Sequence, residues 1–445
     1  MFVNMQTTDQ QYKRRTGLLY LLFSTVFFLN AVIFLFQALT KNLFPPLLLP
    51  LREAFLIDNS QVGMLVTLVF FGYALARFPS GIMADHIGCT KTVLLGSAAM
   101  AISFVGVAVS PNYPVMAIMV FILGVSSGVY VTAGYTLAVI IGSRKRAATA
   151  TAAFESFGIA AGIASPALVT VFVLFLNWQL LFILSGILLA AVTALFLRFK
   201  ESSFNYEEEY AAQSGIDGGY IDNLPSPEPQ AGMLKKLIQD IRSSNVIFRD
   251  PVIRRFIIWS TLVGGLGALS WTGINSFIPT FLVEERGYSY DLANRMFIIV
   301  AVAGLAAKIG IGSLADRFGN NPVLLANLAL SIIMFFALTL AVGYWQLIAI
   351  LALLGAACLN TNTLINSYVL RNMPPRYQGA GFGLFSTAYT AIYSLGPYLT
   401  GSLADMVGLG KAIQFSSAGA VLAVFLIFSA NYFVPKHLVD KMSPS

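Results

Sequence analysis

Four charged side chains interrupt stretches that are otherwise apolar enough to cross a bilayer: Lys41, Arg77, Glu155 and Lys308. A Lys, Arg or Asp at the centre of a span costs about 2.5–3.5 kcal/mol on insertion scales, so such a group faces a cavity or a partner. Three cations against one carboxylate give any space they share a field that favours anions. Each has a plainer alternative. Lys41 stands four residues before Pro45-Pro46, close to the expected end of its span, and could snorkel to the headgroups. Arg77 lies two turns from the membrane edge, a position suited to holding helices together or gating them. Lys308 divides between contact with an anion and an ion pair at a gate, and its ammonium is a point charge without an arginine's two-pronged fork. Glu155, the acid within the spans, is the group best placed to exchange a proton, with a purely structural pairing as the alternative.

Neutral groups would complete a binding site around these charges. Asn30 and Gln37 share the first span with Lys41, while Tyr130 and Tyr135 fall in the fourth. Trp271, Thr272 and Asn275 fall in the seventh, Asn360, Asn362 and Asn366 in the tenth, and Tyr389 and Tyr393 in the eleventh. The candidate ligand set is Lys41, Asn30, Gln37, Tyr130, Trp271, Asn275, Lys308, Asn362 and Tyr393. Amides inside a bundle also bond across helices simply to hold it together, which is the alternative for any one of them. His86 and His437 lie outside the spans, so neither a histidine metal site nor a histidine-based triad is expected within them. No Gly-rich loop ending in Gly-Lys-Ser or Gly-Lys-Thr occurs, which argues against ATP as the energy source and leaves an ion or exchange gradient. No cofactor, metal or enzymatic activity is expected.

These side chains need a frame in the bilayer. Of the 445 residues, 57% are hydrophobic and 11% charged, and the mean hydropathy is +0.77. A soluble domain carries roughly 25% charged residues, so this chain could not cover its own surface in water. Twelve stretches approach the spanning length of about 20 residues: 17–44, 61–83, 92–110, 114–142, 148–175, 178–198, 255–281, 293–314, 322–343, 345–370, 379–403 and 412–434. The fold class is an all-α membrane protein of twelve transmembrane helices. Of 27 Lys and Arg, the residues outside the spans fall overwhelmingly on one side, as with Lys13, Arg14, Arg15, Arg144, Lys145, Arg146, Arg254 and Arg255, whereas Arg52, Arg286, Arg295 and Lys411 fall on the other. The positive-inside rule then places both termini in the cytoplasm and the chain in the cell membrane. The net charge of +7 follows from this asymmetry and does not call for a nucleic-acid partner. The first 16 residues lack a cleavable signal pattern, so span 1 is expected to act as its own targeting element. Cys89 and Cys358 are not expected to form a disulfide. Residues 199–253 form a hydrophilic stretch whose part from Glu201 to Glu228 holds seven acids and no base. Met233, Leu234, Leu237, Ile238 and Ile241, beside Lys235, Lys236 and Arg242, then suit a helix lying on the membrane surface. The plain reading of the stretch is a tether, the alternative a regulatory or partner-binding segment. The domains are 1–198, the linker 199–253, and 254–445.

Sliding the chain along itself by 231 residues superposes its rarest features. Gly81-Ile82-Met83-Ala84-Asp85-His86-Ile87-Gly88 falls on Gly312-Ser313-Leu314-Ala315-Asp316-Arg317-Phe318-Gly319, and Pro166, Gly124, Phe154 and Arg77 fall on Pro397, Gly355, Phe385 and Lys308. One constant offset across separate regions means two copies of one folding unit, here two six-helix pseudo-repeats. Two parallel halves in an apolar chain suit a secondary transporter with its site between them. Gly81 and Gly312 would allow close helix approach. Asp85 and Asp316 could accept hydrogen bonds from a facing helix N-terminus, and Pro166 and Pro397 could permit bends. A capped turn and a packing kink are the alternatives.

The paired G-x-x-x-D-x-x-G loops resemble the signature loop of the major facilitator superfamily, and the resemblance extends over nearly the whole chain. The first copy departs from the pattern at Cys89 and Thr90, where basic residues are usual. Ala161-Gly162-Ile163-Ala164-Ser165-Pro166 is similar to the family's antiporter motif, with Ser394-Leu395-Gly396-Pro397 as its counterpart. Gly124 to Gly128 lacks the arginine often placed in helix 4, which points away from proton-coupled drug exporters. Lys308 stands where carboxylate transporters of the superfamily, monocarboxylate porters among them, often place an arginine. Helices 5 and 8 adjoin in that fold, so the resemblance implies a Glu155–Lys308 pair that forms when the cytoplasmic side closes. The gating and coupling set is Arg77, Asp85, Glu155, Asp316, Arg317, Pro166 and Pro397. The expectation is a monomeric alternating-access transporter of small organic anions, carboxylates foremost, driven by protons or exchange. The alternatives are a proton-coupled exporter of hydrophobic or cationic compounds and a membrane sensor without turnover.

Overall fold

The computed structural model describes residues 24–142, 147–200, 202–204, 206–207, 251–373 and 378–428. The long elements among them are all helices. α1 runs Thr25–Asn42 and continues past Leu43 as Phe44–Phe55; α2 is Asn59–Ile87, α3 Cys89–Ala108, α4 Tyr113–Gly142, α5 Ala147–Phe175 and α6 Trp178–Arg198. α7 is Pro251–Glu284, α8 Tyr290–Phe318, α9 Asn320–Leu340 and α10 Tyr344–Asn372. α11 comprises Gln378–Ser394 and Gly396–Val407, and α12 Leu409–Ser416 and Ala418–Phe428. Eleven of these twelve are long and apolar enough to cross a membrane. The other is α11, interrupted at Leu395 just ahead of Pro397. The segment 233–242 lies outside the described residues, as does most of the acidic stretch before it.

One span boundary moves, and the move matters. Pro45-Pro46 reads as the end of a helix, yet proline is tolerated in a helix's first turn, where its missing N–H would have had no partner anyway. Both prolines occupy that turn of Phe44–Phe55. The Leu43 N–H donates to Leu39 O at 3.1 Å, so the second segment follows directly on the first. At 1.5 Å per residue, Lys41 therefore lies about 20 Å from the end of α1. Snorkelling is excluded.

The internal repeat reappears as packing. A methyl group added at Gly124 of α4 would lie 2.2 Å from Val69 O of α2, and one at Gly355 of α10 would lie 2.0 Å from Val300 O of α8. The same crossing occurs once in each half, permitted each time by a glycine. Gly81 and Gly312 do not serve as close-approach points: the first would meet only Thr132, at 3.8 Å, and the second nothing within 4 Å. What the signature loops require is the final glycine. Gly88 (φ 87°, ψ 154°) and Gly319 (φ 87°, ψ 155°) each join two helices as a single connecting residue in a conformation that side chains rarely adopt. Thr90, one of the departures from the loop pattern, finds a use here. Thr90 N donates to a Glu207 carboxylate oxygen at 2.8 Å and its hydroxyl also bonds Glu207, so an acid after α6 caps the start of α3.

Contacts across the two halves gather on the face opposite Gly88 and Gly319. Asp405 of α11 accepts from Asn59 N (3.0 Å) and Ser60 N (2.7 Å) at the start of α2. Arg52 pairs with Glu284, Tyr290 Oη donates to Pro46 O at 2.7 Å, and Tyr398 N donates to Thr67 Oγ1 at 3.2 Å. That face is closed.

Candidate functional site

A cavity of about 870 Å³ lies between the halves, running from Gln37 and Lys41 to Asp85 at the Gly88 loop. α1 contributes Phe34, Gln37 and Lys41; α2 contributes Tyr73, Arg77, Phe78 and Asp85; α4 and α5 contribute Tyr135 and Glu155. Among the described residues the second half supplies no charge to the lining, only Asn366 from α10 and Phe382, Ser386 and Thr387 among others from α11.

Tyr73 organises the inner end. Tyr73 and Arg77 are four residues apart, hence neighbours on one face of α2. The Arg77 guanidinium carbon lies 5.6 Å from the Tyr73 ring centroid, and Lys41 Nζ reaches the same ring at 4.1 Å. An aromatic face attracts cations through its quadrupole, by roughly 0.5–2 kcal/mol. It does not neutralise them. Among the described residues neither Lys41 nor Arg77 has a carboxylate partner. Gln37 is fixed beside them by donating Nε2 to Ser127 Oγ at 2.9 Å.

Glu155 behaves differently. Its carboxylate accepts from Lys308 Nζ at 2.8 Å and from Tyr135 Oη at 3.5 Å, joining α5 to α8. The pair expected from the sequence is thus present, but with the opposite face of the protein closed. Lys308 spends its charge on this contact and is not part of the lining, whereas Arg77, expected at a gate, is.

Several other candidates hold the frame together. Asn30 and Tyr130 are fully buried; Asn30 Nδ2 donates to Gly134 O at 2.9 Å and Tyr130 Oη donates to Asn30 O at 2.7 Å. Trp271 is buried in the core and Asn275 half-buried on α7, both outside the lining. Asn362 accepts from Tyr389, and Tyr393 stands edge-on to Tyr389 and Phe70. Of the three amides on α10 it is Asn366 that reaches the cavity. Asp316 accepts from Arg371 at 2.5 Å, and the Arg317 guanidinium lies 5.3 Å from the Phe318 ring. α5 runs unbroken through Pro166, while Pro397 starts the second segment of α11. Sequence reading missed Tyr73, for which the i, i+4 spacing to Arg77 was an available signal, and it missed Phe34, Phe78, Phe382 and Ser386, which carry none.

A charged, partly aromatic cavity between two bundles of apolar helices, closed on one face, belongs to a multi-pass membrane transporter. The family model described as Major Facilitator Superfamily matches residues 26–397 and 261–441, and the chain belongs to that superfamily. A protein of Cupriavidus necator named as a probable sulfoacetate transporter, SauU, is 23% identical over 390 residues, covering 84% of this chain and 85% of its own. The multidrug resistance protein MdtG of Serratia proteamaculans is 31% identical over 199 residues, but this spans only 42% of this chain and 46% of the relative. Among solved structures, a bacterial homologue of the human lysosomal transporter Spinster, inward-facing and occupied, has a TM-score of 0.72 at 13% identity, covering 94% of this chain and 98% of that one. A D-xylose–proton symporter has a TM-score of 0.68 at 16% identity, covering 92% and 98%. These likenesses concern the fold.

Proposed function

We propose that the protein moves small organic anions by alternating access, with Lys41 and Arg77 holding the anion over Tyr73. One observation carries the reading: two cations share an interior cavity, and the nearby carboxylate, Glu155, is already paired with Lys308. A buried charge without a counter-ion is expensive, so two such cations side by side favour an anionic ligand. The relative named as a sulfoacetate transporter, matched over most of its length, supports the same class. The domains 1–198 and 254–445 rock about the cavity, tethered by 199–253. Both termini face the cytoplasm of the cell membrane, and the transporter works as a monomer. Glu155 carries the coupling proton or, in exchange, acts as the gate with Lys308. Asp85, Asp316 and Arg317 belong to the cytoplasmic gate.

The test is counterflow in proteoliposomes with labelled sulfoacetate and simple carboxylates. Flux that Lys41→Gln lowers at least about tenfold supports the reading; wild-type flux in the variant rejects it. Glu155→Gln separates the coupling modes, because an unchanged pH dependence removes Glu155 from proton transfer. A second reading, export of hydrophobic or cationic compounds, draws on the aromatic lining by Phe34, Phe78 and Phe382 and on the partial match to MdtG. Extrusion of a lipophilic cation that survives Lys41→Gln would favour it.

A further inference from the structure

We infer that the preferred ligand is a compact dianion, two acidic groups on one small skeleton, a conclusion that rests on the anion reading above. Lys41 and Arg77 approach one Tyr73 ring, at 4.1 and 5.6 Å from its centroid, so both charges reach one ligand. Charges of either sign elsewhere in the cavity are accounted for: Glu155 is held by Lys308 and Tyr135, and Asp85 stands at the far end of the lining beside the Gly88 loop. A single negative charge would leave one buried cation uncompensated; two compensate both. The two sites differ in chemistry as well. Arg77 presents a planar fork that fits a carboxylate or sulfonate through two parallel hydrogen bonds, and Lys41 presents a point charge. Both cations lie within 5.6 Å of one ring centroid, so the acidic groups they would hold must sit close together, which suits a short spacer between them.

The experiment is calorimetric titration of the purified full-length protein with malonate and succinate against their monomethyl esters. The expected result is dianion binding at least about tenfold tighter than ester binding, the ratio falling to near unity in Lys41→Gln and in Arg77→Gln. Equal affinity for diacid and ester in the wild type overturns the dianion inference while leaving the anion reading intact. Binding of neither, with binding of a lipophilic cation instead, overturns both.

Independently, the closed face carries a third copy of the signature loop, and we propose that it is the latch of that face. Gly401-Ser402-Leu403-Ala404-Asp405-Met406-Val407-Gly408 repeats Gly312-Ser313-Leu314-Ala315-Asp316 and the final Gly319. Gly408 adopts φ 85° and ψ 159°, the conformation of Gly88 and Gly319, and again joins two helices alone. Here the aspartate makes the bond expected of its relatives: Asp405 caps the first two N–H groups of α2, where the helix dipole favours an anion. Gly401 makes room, since a methyl group there would lie 2.2 Å from Asn59 O. The test uses Thr67→Cys, on α2 beside Tyr398, labelled with a membrane-impermeant maleimide; the native thiols of Cys89 and Cys358 are buried. Adding Asp405→Asn is expected to raise the labelling rate roughly two- to tenfold. Asn59→Pro, which deletes one donor at a helix position that accepts proline, should act in the same direction. Unchanged labelling in both variants, or an equal rise with Asp291→Asn on the same face, overturns the latch.

Discussion

Arg77 and Lys308 occupy the same place in the two repeats, 231 residues apart, and do different work. Their surroundings explain why. Beside Arg77 the chain places Tyr73 and Lys41; the repeat-equivalents of these are Gly304, whose carbonyl accepts from Asn360, and Thr272, whose hydroxyl donates to Tyr393 O at 2.8 Å. Neither of these two positions offers an aromatic ring or a cation. Beside Lys308 stands Glu155, whose own repeat-equivalent is Ser386. The first half thus keeps its cation available in the cavity, and the second half gives its cation to the first half's acid. A duplicated scaffold supplies equivalent positions; neighbours one turn away decide which becomes a ligand group and which an inter-bundle contact.

The sharpest way to break this comparison is to remove each cation. Arg77→Gln is expected to lower anion flux by about ten- to a hundredfold, because a charged hydrogen bond to substrate contributes about 1.5–3 kcal/mol. Lys308→Gln should cost only several-fold in flux, since its pair with Glu155 is about one-third exposed and partly screened, at 39% and 34%. Equal losses would erase the distinction between the two halves. Next in size come the shared crossings. Gly124→Ala and Gly355→Ala should each destabilise by about 1–3 kcal/mol, visible as a lowered melting temperature, because the clash is with backbone; Gly312→Ala, in open space, should leave melting unchanged. Least affected should be Arg371→Gln. Its pair with Asp316 is 57% and 65% exposed, so a stability change within about 0.5 kcal/mol is expected in a thermal melt.

The periodic apolar stretches and the repeat made the twelve helices legible, and the resemblance to a fold in which helices 5 and 8 adjoin made the Glu155–Lys308 pairing legible too. What the sequence concealed was depth and direction. Pro45-Pro46 carries the signal of a stop, and only the continuation of α1 reveals that Lys41 is interior. Asn30, Tyr130, Trp271 and Asn362 have the composition of ligand groups, but which side of a helix faces a cavity depends on packing against neighbours distant in sequence. A helix apolar all round keeps no record of that side. Tyr73 could have been found from its spacing to Arg77, and the capping role of Asp405 from its loop sequence.

The one-residue corners at Gly88, Gly319 and Gly408 leave no slack between the helices they join. Each such pair must swing as a single lever, so whatever flexing accompanies turnover has to be absorbed elsewhere, at joins such as Leu43 and Leu395 that lie within a span. Lengthening a corner by even a short insertion would uncouple the arms it connects, and the protein would be expected to bind without carrying.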